Sequence, residues 1–369
     1  MAVGNFSGGD GTEENPYLIV TVEDLNNVRN NLTAFYKLTK NVDLASILWE
    51  PIVDFKGGFD GADKIISNLK IKSLDNNQYV GFFANCEDAL LKNLHIEKAN
   101  IISNANAGGI FAGNLYNSIV QDCSVNGSIE LSGFCNAGGF AGVIEGEGSV
   151  SKCAAKNVNV SARIASGFAF VLAVPTVNCY ATGAISGLDN TSFGGSSISD
   201  FCSYTGATIE NCYAATKQII YNENSQCYPF SQDYEYANLI SCYVDNESFG
   251  VPEWMAGYNY SNGNNVTGTD GNVYKCINYQ SDLDYTVGQP PFPMNYAAQP
   301  VSGVNWRSYW VAANIQETRT TTQMKTKLNY LGWDFENVWL FKEGEYPTFS
   351  NRSTGQLQAM PLTSITVVN

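Results

Sequence analysis

The side chains able to do chemistry are few in kind. Three carboxylate pairs stand at i, i+2 spacing: Glu145 and Glu147 in "IEGEG", Asp233 and Glu235 in "DYEY", and Asp282 and Asp284 in "SDLDY". Strand alternation would put each pair on one face, an arrangement glycosidic chemistry can use. At a net charge of -15, however, acids are expected throughout the surface, and solvated turns account for all three pairs. The single histidine, His95, has no second histidine to complete a metal site and is expected as an exposed strand residue. "SGGDGTEEN" and "TGTDGNV" have the glycine-aspartate character of calcium loops, but neither recurs in tandem, and tight turns explain them. Ten cysteines include no C-x-x-C pair, which argues against a clustered thiolate metal site. No catalytic, cofactor-binding or metal-binding residue is therefore assigned.

The cysteines are instead periodic. "SNLKI", "KNLHI", "QDCSV", "SKCAA", "VNCYA", "ENCYA", "SCYV" and "YKCIN" align on Leu69, Leu94, Cys123, Cys153, Cys179, Cys212, Cys242 and Cys276, at intervals of 25 to 34 residues. Between them lie "VGFFAN", "GGIFAGN", "GGFAGV" and "SGFAFV". Short strands with glycine corners at a period near thirty describe a solenoid, specifically a parallel β-helix in which each coil adds one residue to an interior stack. The aligned cysteines then form an interior ladder of packed thiols, although stacked strands also lie close enough for disulfides. Cys86, Cys135, Cys202 and Cys227 fall off that ladder.

Such a stack needs a covered end. Thr21 is a candidate N-cap with Asp24 three residues on, and Leu25, Val28 and Leu32 follow at helical spacing. A helix over 22–32 is expected to lie on the first coil as a lid. The organisation expected is a cap and first strands at 1–45, β-helix repeats at 46–249, an irregular aromatic and proline-rich insertion at 250–314, and a closing segment and tail at 315–369. The insertion concentrates Trp254, Tyr258, Tyr260, Phe292, Tyr296, Trp306 and Trp310, with prolines 290, 291 and 293 favouring an extended course. These seven aromatics are the candidate binding residues, able to stack on sugar faces or anchor a protein interface. The alternative is that they pack a long loop on the solenoid flank.

"GDGTEENPYLIVTVEDLNNVRNNL", "FYKLTKNVDL", "WEPI", "FKGGFDGADKIISNLKI" and "VGFF" resemble the opening of bacterial and phage proteins carrying GLUG repeats. "GGFAG", "NCYATG" and the later "TTQMKTKLNYLGWDFENVWLFKEGEYPTF" resemble their repeat and the segment that closes such arrays. The resemblance covers about 1–245 and 320–350. It implies a right-handed, all-β parallel helix on a cell surface or in a virion, and it brings no catalytic residues.

Composition narrows the partners. Charged residues are only 15% of the 369, and net charge -15 gives no electrostatic attraction to a phosphate backbone, so nucleic acid is excluded as a partner. The longest apolar run, 164–177, is too short to cross a bilayer, and the N-terminus shows no secretory signal. These features favour a non-catalytic bacteriophage virion component (fibre, tail or capsid surface) whose partners are a host-surface glycan or other virion proteins, compatible with a homo-oligomer. A bacterial surface or secreted adhesin and a polysaccharide-depolymerising tailspike are the alternatives.

Overall fold

A computed structural model describes residues 6–73, 78–188, 196–219, 226–228, 230–231, 238–245, 265–267, 273–276, 310–312, 318–330 and 332–350. Its body is a parallel β-helix. One coil runs through Ala107–Gly108, Ala112–Tyr116, Ile119–Gln121 and Ser124–Leu131, and each strand pairs in parallel with its counterpart about thirty residues on. Three stacked sheets result: six short strands from Tyr79–Val80 to Gln226–Tyr228, five from Phe83–Glu87 to Cys202–Tyr204, and a large sheet carrying the remaining coil strands.

The corners explain the polar residue preceding each anchor. Asn93, Asp122, Lys152, Asn178, Asn211 and Ser241 all have φ between 50 and 57°. Asn and Asp tolerate this left-handed conformation better than most residues, which is why they recur here. The turn swings the next side chain inward, and Leu94, Cys123, Cys153, Cys179, Cys212 and Cys242 are all buried to 1% exposure or less. The register aligns them, because Ser124 pairs with His95 and Ala154, and Tyr180 with Ala154 and Tyr213, each one residue after an anchor. Every cysteine of the column is a free thiol.

Two members of the expected column belong elsewhere. Leu69 precedes Lys70, which pairs with Asn100, so Leu69 stacks at the level of Ala99 rather than Leu94. Cys276 ends the strand Val273–Cys276, which is antiparallel to both Asn265–Thr267 and Trp310–Ala312. The ladder instead continues from Tyr243–Asp245 directly to Thr318–Arg319.

A second interior column is aromatic. Phe111, Phe140, Phe168, Phe201 and Phe230 stack with ring centroids 4.7 to 4.9 Å apart, and Phe83 joins at 5.9 Å. Each such contact adds about 0.5–1.5 kcal/mol beyond burial. Where the long strand bulges, Gly127 has φ +140°, and a Cβ there would lie 2.2 Å from the Ala99 carbonyl oxygen. Gly183 repeats this position at φ +130°.

The N-terminal lid forms, but its helical stretch ends at Asn30 rather than at residue 32. Thr21 Oγ accepts from Asp24 N (3.1 Å), while Asp24 Oδ2 accepts from Thr21 N and Val20 N (2.9 Å each). This capping box starts the α-helix Val22–Asn27, which tightens into a 3₁₀ turn at Val28–Asn30. Leu25 and Val28 are fully buried and Leu32 is half-buried against the same core. Arg29 lies over Trp49 at 4.2 Å and donates to the Glu50 carbonyl, tying the lid to the first coils.

Candidate functional site

The residue after each inward anchor points outward and forms a flank column: His95, Ser124, Ala154, Tyr180, Tyr213 and Tyr243. In the later coils this column is aromatic and is not exposed. Tyr213 and Tyr243 are 1% exposed, because residues 320–349 fold back along the flank as a strap. The strap lays Met324, Tyr330, Trp333 and Trp339 against the tyrosines. Trp333 and Trp339 stack at 4.3 Å, and Tyr180 and Tyr213 stack at 5.1 Å beneath them.

Specific hydrogen bonds fix the strap's register. Trp333 Nε1 donates to Ser241 O (3.1 Å), Trp339 Nε1 to Asn178 Oδ1 (3.3 Å), and Tyr213 OH to Pro347 O (2.7 Å). The strap therefore grips the left-handed corners at 178 and 241. Its own helix, Thr321–Met324, starts from a Thr320–Gln323 capping box. Burial pushes the Tyr213 hydroxyl pKa well up, so it stays protonated as a donor.

Asp245 is the junction of this site. It is fully buried, accepts from Thr321 Oγ1 at 2.9 and 3.0 Å, and also accepts from the Tyr346 hydroxyl. It is also the last ladder residue before the insertion. Val244 pairs with Thr318 and Asp245 with Arg319, so the 246–317 segment leaves and re-enters the solenoid at adjacent positions of one ladder. Arg319 lies 3.8 Å over the Tyr243 ring at the re-entry point.

Of the seven candidate aromatics, Trp254, Tyr258, Tyr260, Phe292, Tyr296 and Trp306 lie outside the described residues. Trp310 begins a strand whose backbone pairs with Cys276. Part of the stretch expected to be irregular is thus a three-stranded antiparallel sheet.

The carboxylate pairs do not fare alike. Glu145 ends a strand, Gly146 turns at φ +90°, and Glu147 N donates to Asn117 Oδ1 at 2.9 Å, so the expected alternation is broken between them. Asp233, Glu235, Asp282 and Asp284 lie outside the described residues. His95 faces outward as expected but is half-buried rather than exposed. Its Nδ1 lies 2.8 Å from Ser124 Oγ and its Nε2 3.7 Å from Asp63 Oδ1. Burial lowers its pKa, outweighing the upward pull of Asp63. In "SGGDGTEEN" Asp10 Oδ1 accepts from Thr12 N and Oγ1 at 3.0 and 2.7 Å, the bonding of a tight turn. Among the described residues no three His, Cys, Asp or Glu side chains converge on a metal position, and no helix is long and apolar enough to cross a membrane.

The flank site was not anticipated, although the sequence carries its signal. "NCYA" at 178, "NCYA" at 211 and "SCYV" at 241 put tyrosine at an outward position where earlier coils have His, Ser and Ala. An outward aromatic recurring on successive coils marks a covered face.

Comparison with known proteins places the fold. A crystal structure from Bacteroides ovatus, provisionally named an immunoglobulin A1 protease, superposes with a TM-score of 0.59 at 18% identity, covering 94% of this chain and 95% of that one. The chain is a parallel β-helix of that architecture. A Gly-rich membrane protein of Evansella cellulosilytica is 40% identical over 104 residues, 25% of this chain. Halomucin of Haloquadratum walsbyi is 29% identical over 157 residues, 37% of this chain. The alignments span 12% and 2% of the lengths of those two relatives. No family model matches the chain.

Proposed function

We propose that this chain is a non-catalytic attachment or assembly component of a bacteriophage virion, built as a GLUG-like solenoid that holds the 246–317 insertion against a surface glycan or a neighbouring virion protein. The observation that carries the reading is the way the insertion is mounted. Its two ends are strand-paired neighbours, Val244 with Thr318 and Asp245 with Arg319, on a coil braced by the strap. A binding element gains most from a support that does not deform when it engages, since less ordering must then accompany binding. The insertion also holds Trp254, Trp306 and Trp310, half of the six tryptophans.

A second reading, a cell-envelope protein of a bacterium, draws on the names of the relatives, a membrane protein and a halomucin. Purified chain incubated with host cells, cell-wall glycan and purified virion proteins separates the two readings by which partner retains it. Under either, Trp254→Ala with Trp306→Ala weakens binding by about 2 kcal/mol or more while the melting temperature holds. The polymer emerges at unchanged size. A fall in glycan length, abolished by Glu145→Gln, would make the chain a depolymerase and overturn the non-catalytic reading. Binding that survives removal of 250–314 would move the contact to the solenoid flank.

A further inference from the structure

Two unmet polar atoms and an exposed ring share one corner of the solenoid. After Leu131 the chain turns through Gly133, at φ +98°, and the Cys135 thiol donates back to Ser132 O (2.8 Å). Cys135 is buried by this turn, and its neighbour Phe134 is left 52% exposed. One coil on, Arg163 sets its guanidinium carbon 5.4 Å from the Phe134 ring centroid. Main-chain bonds from Ile164 N to Cys135 O (3.3 Å) and from Ser197 N to Arg163 O (3.0 Å) fix this coil between its neighbours. Arg163 Nε is closed off from solvent and has no acceptor. Asn136, which pairs with Ile164, carries a side-chain oxygen that is equally closed off and has no donor.

These two atoms do not satisfy each other, and leaving a closed-off donor or acceptor unmet is costly. The corner therefore suits a ligand that brings both an acceptor and a donor. Charge says which acceptor. Arg29 donates its guanidinium to Asn26 and to the Glu50 carbonyl, whereas no carboxylate or carbonyl among the described residues takes that of Arg163. In a chain with 35 acidic residues and net charge -15, an arginine left without one is the local exception.

We propose that Phe134, Asn136 and Arg163 form a subsite for an acidic sugar, a glycan unit that carries a carboxylate. The guanidinium fork takes the carboxylate, the Asn136 side-chain oxygen accepts from a sugar hydroxyl, and the Phe134 ring covers the apolar C–H face. The ring also holds the guanidinium in place beforehand, so less freedom is lost on binding. The partner is the surface glycan proposed above; what is added is its chemical class and a contact outside the insertion. The net charge of -15 repels a polyanion at long range, so retention of an acidic glycan has to come from a local contact of this kind.

The test is biolayer interferometry of the full-length chain on immobilised polygalacturonate, polysialate, carboxyl-reduced polygalacturonate and polyglutamate. Salt is held at about 0.15 M, where the Debye length is about 8 Å and distant carboxylates are screened. At least one acidic glycan should be retained, about tenfold or more tightly than the reduced polymer and polyglutamate, as a charge-assisted hydrogen-bonded pair implies. Arg163→Gln should erase that preference, and Arg163→Lys should recover only part of it, because lysine lacks the fork. Phe134→Ala should weaken acidic and reduced polymers alike. Lys37→Gln, which removes a positive charge from an exposed site on an early coil, should change nothing. Far-UV circular dichroism and melting check each variant. Trp254→Ala with Trp306→Ala should weaken retention of all polymers and keep the acidic preference, which separates this subsite from the insertion. No retention of either acidic glycan, equal retention of the reduced polymer, or Arg163→Gln behaving as wild type would overturn the subsite. Polyglutamate held as tightly as the acidic glycan would overturn the assignment to a sugar.

Discussion

Trp339→Ala tests whether the strap is a separately stable unit laid on a finished solenoid. Trp339 is 1% exposed and touches Trp333, Phe349, Tyr180 and Tyr213, with centroids from 4.3 to 6.1 Å. A buried tryptophan removes about 150–250 Å² from water, which at about 25 cal/mol per Å² is worth about 4–6 kcal/mol. Truncation to alanine keeps part of that, and large-to-small changes of this kind cost about 3–5 kcal/mol. The strap contacts the solenoid through side chains and a few hydrogen bonds, and it continues the parallel ladder only at Thr318–Arg319. The loss should therefore appear as strap opening, not as unravelling of the coils. At about 1.4 kcal/mol per tenfold, 3 kcal/mol raises the open population more than a hundredfold. Lysine-specific cleavage at Lys325, Lys327 and Lys342 should accelerate accordingly when opening is fast relative to cleavage. Meanwhile the far-UV signal of the solenoid should melt near its original midpoint. Tyr213, held protonated by burial, should titrate at lower pH in the variant. Cleavage at the wild-type rate, or loss of strap and coils in one transition shifted by the whole amount, would refute a separable strap.

The other predictions concern the body and its end. Phe140→Ala, in the middle of the ring stack, should cost about 3–5 kcal/mol in denaturant titration, because a gap opens on both neighbours. A loss under 1 kcal/mol would mean the column does not carry the core. Thr21→Ala should lower stability by about 1 kcal/mol through loss of the bond from Asp24 N, and Thr21→Ser should restore it. His95 is a base whose folded pKa is lowered, so it favours the folded state when neutral and opposes it as pH falls below the free value of about 6.5. Asp63, Asp122 and Glu97 oppose that shift without reversing it. Unfolding free energy should therefore decline between about pH 7 and 5.5, and His95→Gln should flatten that slope. An identical slope in the variant would place the proton uptake elsewhere.

The solenoid was legible because its corners impose chemistry on the sequence. A left-handed residue followed by an inward one is a demand that few residue pairs meet, and "DC", "KC", "NC" and "SC" mark it from coil to coil. Leu69 was misplaced because Asn68 before it is itself left-handed (φ 59°) and Leu69 is buried, so "SNLKI" carries the same corner signature at a different corner of the coil. Cys276 was misplaced because spacing alone cannot distinguish a coil from an antiparallel strand that falls at the same interval. Phe201 and Phe230 were missed as rungs because "SDFCS" and "YPFSQ" lack the glycine before the ring. The strap's flank contact was not legible, since its aromatics fit any apolar cover. Only the register of the tyrosine column shows which face they meet.

Asp245 links the two elements that interrupt the repeat. Its backbone pairs with Arg319, where the insertion returns, and its carboxylate accepts from Thr321 at the start of the strap helix and from Tyr346 near the strap's end. A buried carboxylate is costly unless its partners are in place, so the junction favours having both ends of the strap docked at once. Docking in turn buries Tyr243, under the Arg319 guanidinium at the insertion's return. The strap therefore does for the late coils what the lid does for the early ones. It fixes the ladder position, Asp245 beside Arg319, from which the chain departs into its aromatic insertion. A protein that only needed to end its array could have done so with a capping turn. The flank contact thus meets the ladder at the coil where Val244 pairs with Thr318 and Asp245 with Arg319.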